Sequence, residues 1–158
     1  MSSVSVVGAG AWGTALALQA LRAGQAVTLV VRDTAKVGQM RRERVNPHLP
    51  AAVLPEALHI TDTIPLATSL ILLAVPTQYI RGTMPRIAGS APVVICAKGV
   101  EIGSHRLPLE VVADCLPPRP LAVLTGPNFA HEIAAGLPAA SVVASTDPEL
   151  REQVRQAL

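Results

Sequence analysis

Three glycines, Gly8, Gly10 and Gly13, interrupt a stretch of the chain that carries no charge from residue 4 to residue 21. Their spacing is G-x-G-x-x-G. A β-branched run at 4–7 precedes them, and a run rich in Ala and Leu at 11–23 follows. A second apolar strand candidate, 27–31, ends just before Arg32 and Asp33, and Asp33 lies twenty residues past Gly13. Strand, glycine turn, helix and second strand in that order make a turn that receives a dinucleotide. Gly8 permits the tight turn, Gly10 lets backbone N–H groups approach a pyrophosphate, and Gly13 lets helix and strand pack closely. The first amides of the helix, unpaired and at the positive end of its dipole, face the anion. A glycine-rich turn that only packs is the competing reading.

The end of the second strand selects the cofactor. A carboxylate there bonds the adenosine ribose 2′-OH of NAD, and an arginine accommodates the 2′-phosphate of NADP. Arg32 comes first after Val31, which favours NADP(H); Asp33 keeps NAD(H) open. An ordinary solvated arginine is the bland alternative.

Three further strand ends carry polar or Gly/Pro turns: AVPTQYIR at 74–81, CAKGVE at 96–101 and LTGPNFAHEIAAGLPAA at 124–140. Ligands of open α/β sheets sit beyond the carboxyl ends of the strands, so all three could face one crevice. Lys98 and Lys36 are the only lysines of the chain. A cation at the position of Lys98 could hold an anionic or carbonyl substrate, or it could be a surface lysine after a turn. Other glycine-rich chemistries do not match. The G-x-x-x-x-G-K-[ST] loop of nucleotide triphosphatases is absent. Trp12 stands where methyltransferases that use S-adenosylmethionine place their third glycine, and Tyr79 lacks the lysine of a Tyr-x-x-x-Lys pair.

These residues need a scaffold, and the apolar pattern supplies one. Strand candidates at 4–7, 27–31, 58–61, 70–75, 93–97, 121–124 and 140–144 alternate with helix candidates at 11–23, 34–44, 78–87, 107–116 and 129–135. A last helix begins at Asp147-Pro148-Glu149, with a capping residue and proline at its first position. This alternation predicts an α/β fold, a doubly wound, mostly parallel Rossmann-type sheet with helices on both faces. Residues 46–55, with three prolines, predict an extended loop. The 158 residues fit one dinucleotide-binding domain, 1–158. The final helix runs to Leu158 with no glycine and no polar tail, the expectation being the front part of a longer, two-domain protein.

Composition narrows the function classes. Half of the residues are hydrophobic but only Trp12, Tyr79 and Phe129 are aromatic, and the formal charge is +2. Nucleic-acid binding needs a broad basic surface with stacking platforms, and neither is visible. Arg41, Arg42 and Arg44 read as a solvated helix face. Cys96 and Cys115 lack metal-ligand spacing and read as reduced thiols of a cytoplasmic protein, and no histidine cluster suggests a metal. The opening stretch lacks a basic residue ahead of its apolar run and is broken by glycine, so it is not read as an export signal. The remaining apolar runs are too short to insert in a membrane.

GAGAWGTALA, the N-P-x-L-P loop, AVPTQYIR, AKGVE and TGPNFAHEIAAGLPAA, in this order and spacing, resemble NAD(P)-dependent glycerol-3-phosphate dehydrogenases over residues 4–158. The resemblance covers the cofactor domain of that family. It implies an oxidoreductase that interconverts dihydroxyacetone phosphate and sn-glycerol 3-phosphate, a phospholipid precursor, in the bacterial cytoplasm. Carried over by position, Ala11, Trp12, Arg32, His48 and Ala130 resemble cofactor contacts. Lys98 resembles a residue touching cofactor and substrate, and Gly126 and Asn128 resemble substrate contacts. Asn128 stands where Ser or Thr is usual, Ala139 where Thr is frequent, and His48 near a common aromatic, in a loop one residue short. The family's proton-donor lysine and main phosphate-binding residues belong to a helical second domain, so this chain is expected to bind cofactor without turnover. The face left by that domain could support a homodimer. A non-catalytic NADP-binding module is the alternative from another class. A dehydrogenase of the 6-phosphogluconate or ketopantoate type is a nearer one, and the AKG and GPNFA segments argue against it.

Overall fold

The computed structural model describes residues 2–158. The chain begins with β1 (Ser3–Val7), α1 (Ala11–Arg22), β2 (Ala26–Val30), α2 (Thr34–Glu43) and β3 (His59–Thr61). It continues through β4 (Leu70–Leu73), α3 (Thr77–Thr83), β5 (Val93–Ile95) and α4 (Pro108–Cys115). β6 (Leu121–Thr125), α5 (Ala130–Ala134), β7 (Val142–Ala144) and α6 (Pro148–Ala157) complete it. One seven-stranded sheet has the order β3-β2-β1-β4-β5-β6-β7, parallel except for β7, which runs antiparallel to β6. The expected doubly wound sheet is therefore present.

Burial explains the strand sequences. Leu70, Ile71, Leu72 and Leu73 of β4 are all fully buried, because β4 sits between β1 and β5 with helices on both faces. A strand covered twice shows a continuous apolar run instead of alternation. Side chains of α1, α2 and α6, among them Leu16, Met40, Leu150 and Val154, fill one face of the sheet. Ile80 and Met84, with Val111 and Val112 of α4, fill the other.

The ends of the helices follow their sequences. Asp33 caps α2 by accepting from the Ala35 N–H at 3.0 Å, and Asp147 caps α6 by accepting from Glu149 and Leu150. The expected helix at 78–87 ends early. Pro85 has no N–H to continue an α-helical ladder, and residues 84–86 tighten into one 3-10 turn. Arg41 and Arg42 are exposed, as a solvated helix face predicts, yet the basic run also tethers the chain. Arg44 takes a left-handed conformation after α2 and donates to the carbonyls of Pro55 and Leu58 and to Glu56, while Arg41 donates to the Ile60 carbonyl.

Candidate functional site

The order of the sheet reverses at β1. Its neighbours are β2 on one side and β4 on the other, with Val7 in register with both Val30 and Leu73. Chains leaving the three strand ends diverge there and open a crevice of about 450 Å³. Such a switch point is where doubly wound sheets receive ligands. Gly8, Gly10, Trp12, Arg32, His48 and Tyr79 all line it.

The three glycines have three different reasons. Gly8 has φ +111°, and a Cβ there would lie 2.8 Å from the Ala74 backbone. Gly13 sits against Gly8 itself, where a Cβ would fall 1.8 Å from the Gly8 carbonyl oxygen. Both are required by the chain's own packing. Gly10 is not: a Cβ there meets nothing of the chain within 4 Å. Its bareness matters only to something that occupies the crevice. Among the described residues no side chain caps α1, and its first turn holds no carboxylate. The opening amides at Ala11 and Trp12 are thus left to an outside acceptor. This wall fits a pyrophosphate.

Asn46, which sequence reasoning passed over, secures that wall. It is buried, and its Nδ2 donates to the Ala9 carbonyl at 3.0 Å and to Thr14 Oγ1 at 2.6 Å. Its Oδ1 accepts from the His48 N–H, which holds His48 at the crevice. The prolines of 46–55 signalled a loop, and only an asparagine opening it hinted at a partner.

Tyr79 is the second residue missed. The Arg32 guanidinium lies over its ring, 5.3 Å from the centroid. Asp33 also borders the crevice, but its carboxylate is engaged at the start of α2.

Lys98, Gly126, Asn128 and Ala130 lie outside this lining, the first three on the turns after β5 and β6 and Ala130 at the start of α5. Ile95 and Val123 are in register, so residues three positions on from each are neighbours. Lys98 Nζ donates to the Gly126 carbonyl at 3.1 Å. Gly126 must lack a side chain, since a Cβ would lie 2.7 Å from Asn128 Nδ2 and 2.8 Å from the Ala140 carbonyl. The Asn128 amide donates to that carbonyl and to Ser141 Oγ, which binds the turn after β6 to the approach to β7. Ala130 packs in a small apolar cluster with Ala11 and Trp12, so α5 is tied to the glycine turn.

Two motifs that read separately in sequence prove to be one unit. Thr77 Oγ1 donates to the Lys98 carbonyl at 2.7 Å. Gln78 donates to the Val100 carbonyl and accepts from the Ile102 N–H. The Arg81 guanidinium grips Glu101, with contacts of 2.7 and 3.0 Å, and Ser104 Oγ donates to the same carboxylate. These partners, Arg81 foremost and then Ser104, hold the Glu101 carboxyl below the usual range. The effect is to fix the turn that carries Lys98.

A family model described as the N-terminus of NAD-dependent glycerol-3-phosphate dehydrogenase matches residues 3–151. The chain belongs to that family. The glycerol-3-phosphate dehydrogenase (NAD(P)+) of Acidiphilium cryptum is 50% identical over 155 residues, covering 98% of this chain and 48% of that protein. Its counterpart in Bradyrhizobium sp. strain BTAi1 is 41% identical over 162 residues, covering 99% and 50%. A crystal structure of glycerol-3-phosphate dehydrogenase from Coxiella burnetii superposes with a TM-score of 0.87 at 35% identity, over 99% of this chain and 50% of that one. The chain thus spans about half the length of the curated relatives it matches. The resemblance drawn from five ordered motifs is borne out, and so is the Rossmann-type fold. Within this glycerol-3-phosphate dehydrogenase domain, no helix among the described residues is long and apolar enough to cross a membrane. No three His, Cys, Asp or Glu side chains among the described residues gather as metal ligands.

Proposed function

We propose that this chain is the cofactor-holding part of a cytoplasmic sn-glycerol-3-phosphate dehydrogenase that prefers NADP(H) over NAD(H). The observation that carries the reading is the crevice beside Gly10, walled by uncapped amides at one end and by Arg32 at the other. Family membership supports the substrate pair, dihydroxyacetone phosphate and sn-glycerol 3-phosphate.

The nicotinamide ring supplies the hydride exchanged with the substrate carbon. The residues of this chain bind and aim. The backbone at 10–12 takes the pyrophosphate, and the open face of Gly10 lets it approach the amides. Arg32 takes the 2′-phosphate. The engagement of Asp33 in capping α2 supports the NADP reading, because a carboxylate spent on an amide is less available to a ribose hydroxyl. Lys98, steadied by the Gly126 carbonyl and by the clamp from α3, keeps ammonium protons free for the anionic substrate. Neither Lys36 nor Lys98 is assigned the proton transfer.

Titration of the 158-residue chain with NADPH and NADH tests this. NADPH binds with saturation and more tightly than NADH. Arg32→Ala weakens NADPH roughly ten- to a hundredfold, the scale of a charge-assisted bond, and leaves NADH nearly unchanged. Adding dihydroxyacetone phosphate to the NADPH complex gives no steady loss of NADPH absorbance. Failure to bind either nucleotide overturns the reading, and steady turnover overturns the placement of the proton donor outside these residues.

A further inference from the structure

Arg32 does not face the crevice alone. Lys36 and Arg86 also line it, against the single carboxylate of Asp33, so this rim is positively charged overall. The three cations are not equivalent. Arg86 is committed, donating to the Asp62 carbonyl. The Lys36 ammonium, in the first turn of α2, has no hydrogen-bond or ion-pair partner among the described residues. It is a long, flexible cation held at the crevice by backbone position only. Arg32 is pinned differently, by the face of Tyr79 on α3, and among the described residues its guanidinium also lacks a carboxylate partner. Tyr79 is 56% exposed, a large apolar ring kept at the crevice edge.

A phosphate monoester near neutral pH carries between one and two negative charges and three acceptor oxygens. One guanidinium satisfies two of those oxygens at most. An arginine held over a ring loses less rotamer freedom when it binds. An unpaired ammonium nearby supplies the remaining donors as a mobile point charge. Asp33 would repel the same phosphate; capping α2 draws its charge toward the Ala35 amide, and Lys36, three residues on, opposes the rest.

We propose that Lys36 and Tyr79 complete the discrimination between the two dinucleotides, Lys36 as the second cation on the 2′-phosphate and Tyr79 as the positioning residue for the Arg32 guanidinium. This rests on the reading that the crevice binds a nicotinamide dinucleotide and that Arg32 meets its 2′-phosphate.

The test compares dissociation constants of NADPH and NADH for the 158-residue chain and the variants Lys36→Met, Tyr79→Phe, Tyr79→Leu and Arg32→Ala. Adenosine 2′,5′-bisphosphate against 5′-AMP isolates the phosphate. Lys36→Met weakens NADPH about five- to tenfold and NADH less than twofold, and lowers the salt dependence of NADPH binding. Tyr79→Leu lowers the NADPH to NADH preference about three- to fivefold, while Tyr79→Phe, which keeps the ring face, retains it. Equal weakening of both nucleotides by Tyr79→Leu, or an unchanged preference in Lys36→Met, overturns the assignment of that residue. If Arg32→Ala shifts the preference while these variants do not, the inference alone falls. If Arg32→Ala shifts nothing, or neither nucleotide binds, the underlying reading falls with it.

Discussion

Gly13 lies so close to Gly8 that a methyl group on its α-carbon would sit 1.8 Å from the Gly8 carbonyl oxygen, whereas Gly10 between them faces open space. The same motif thus contains a glycine demanded by packing and a glycine that packing does not demand. The two respond differently to substitution.

Gly13→Ala forces the start of α1 away from the end of β1 and lowers stability by about 1–3 kcal/mol, the range for overpacking, with a matching drop in Tm. Gly10→Val keeps a near-wild-type Tm and loses NADPH binding. Thermal melts with and without NADPH separate the two. An unfolded Gly10→Val chain, or one that binds normally, would contradict this division.

Asn46 joins the proline loop to the glycine turn through two donated hydrogen bonds and one accepted. Asn46→Ala leaves the part-buried Ala9 carbonyl and the buried Thr14 hydroxyl without their amide partner, and the expected loss is about 1–3 kcal/mol. Limited proteolysis then cuts within 46–55 faster than in the wild type, and NADPH protects the loop in the wild type more than in the variant.

Acid should loosen the clamp on the Lys98 turn. The Glu101 carboxyl is held below its ordinary value of about 4.3 by Arg81 and Ser104. A carboxylate with a depressed folded pKa stabilises the fold in full above its unfolded value and progressively less as pH falls through the folded one. Glu101→Gln therefore destabilises the chain most near pH 7. The gap from wild type narrows as pH drops below about 4.3, and denaturant titrations at several pH values report it. A gap independent of pH would assign Glu101 a purely steric role.

The two thiols should differ sharply in reactivity. Cys96 is buried against the sheet and burial pushes its pKa up to about 12, so almost no thiolate forms at neutral pH. Cys115, partly exposed at the end of α4, is accessible. A disulfide reagent titrates one thiol in the folded chain and two after denaturation. Prompt labelling of both, or of Cys96 alone, would contradict the placement of β5.

Lys98→Met removes the bond to the Gly126 carbonyl without opening a cavity, since the lysine side chain is not in the core. It leaves stability within about 0.5 kcal/mol of wild type, as surface substitutions do. Thr77→Val, by contrast, strips the Lys98 carbonyl of its buried donor and lowers Tm. Differential scanning calorimetry of the pair checks the ordering.

What the sequence alone determined is what short-range pattern can carry. The glycine spacing, the capping aspartate at 147, the apolar run of β4 and the order of strands and helices all depend on neighbours within a turn or a strand, whereas the cap at Asp33 emerged only from the structure. For that reason the element order, the sheet type and the family could be read from it. The sharp ends were harder: Pro85 stopped α3 within a run that looked helical, and Arg44 turned from a presumed surface charge into a tether of the next loop. Only the tertiary structure decided which distant residues serve each motif. Asn46 reaches Ala9 across 37 positions, and Arg32 lies over Tyr79 after the chain has passed through β3 and β4. Thr77 meets Lys98 across 21 positions because β4 and β5 are adjacent in the sheet. No periodicity records such pairs, since loop closure between distant positions is set by strand order and register, and a buried amide or an aromatic face shows its purpose only once its partner is in place.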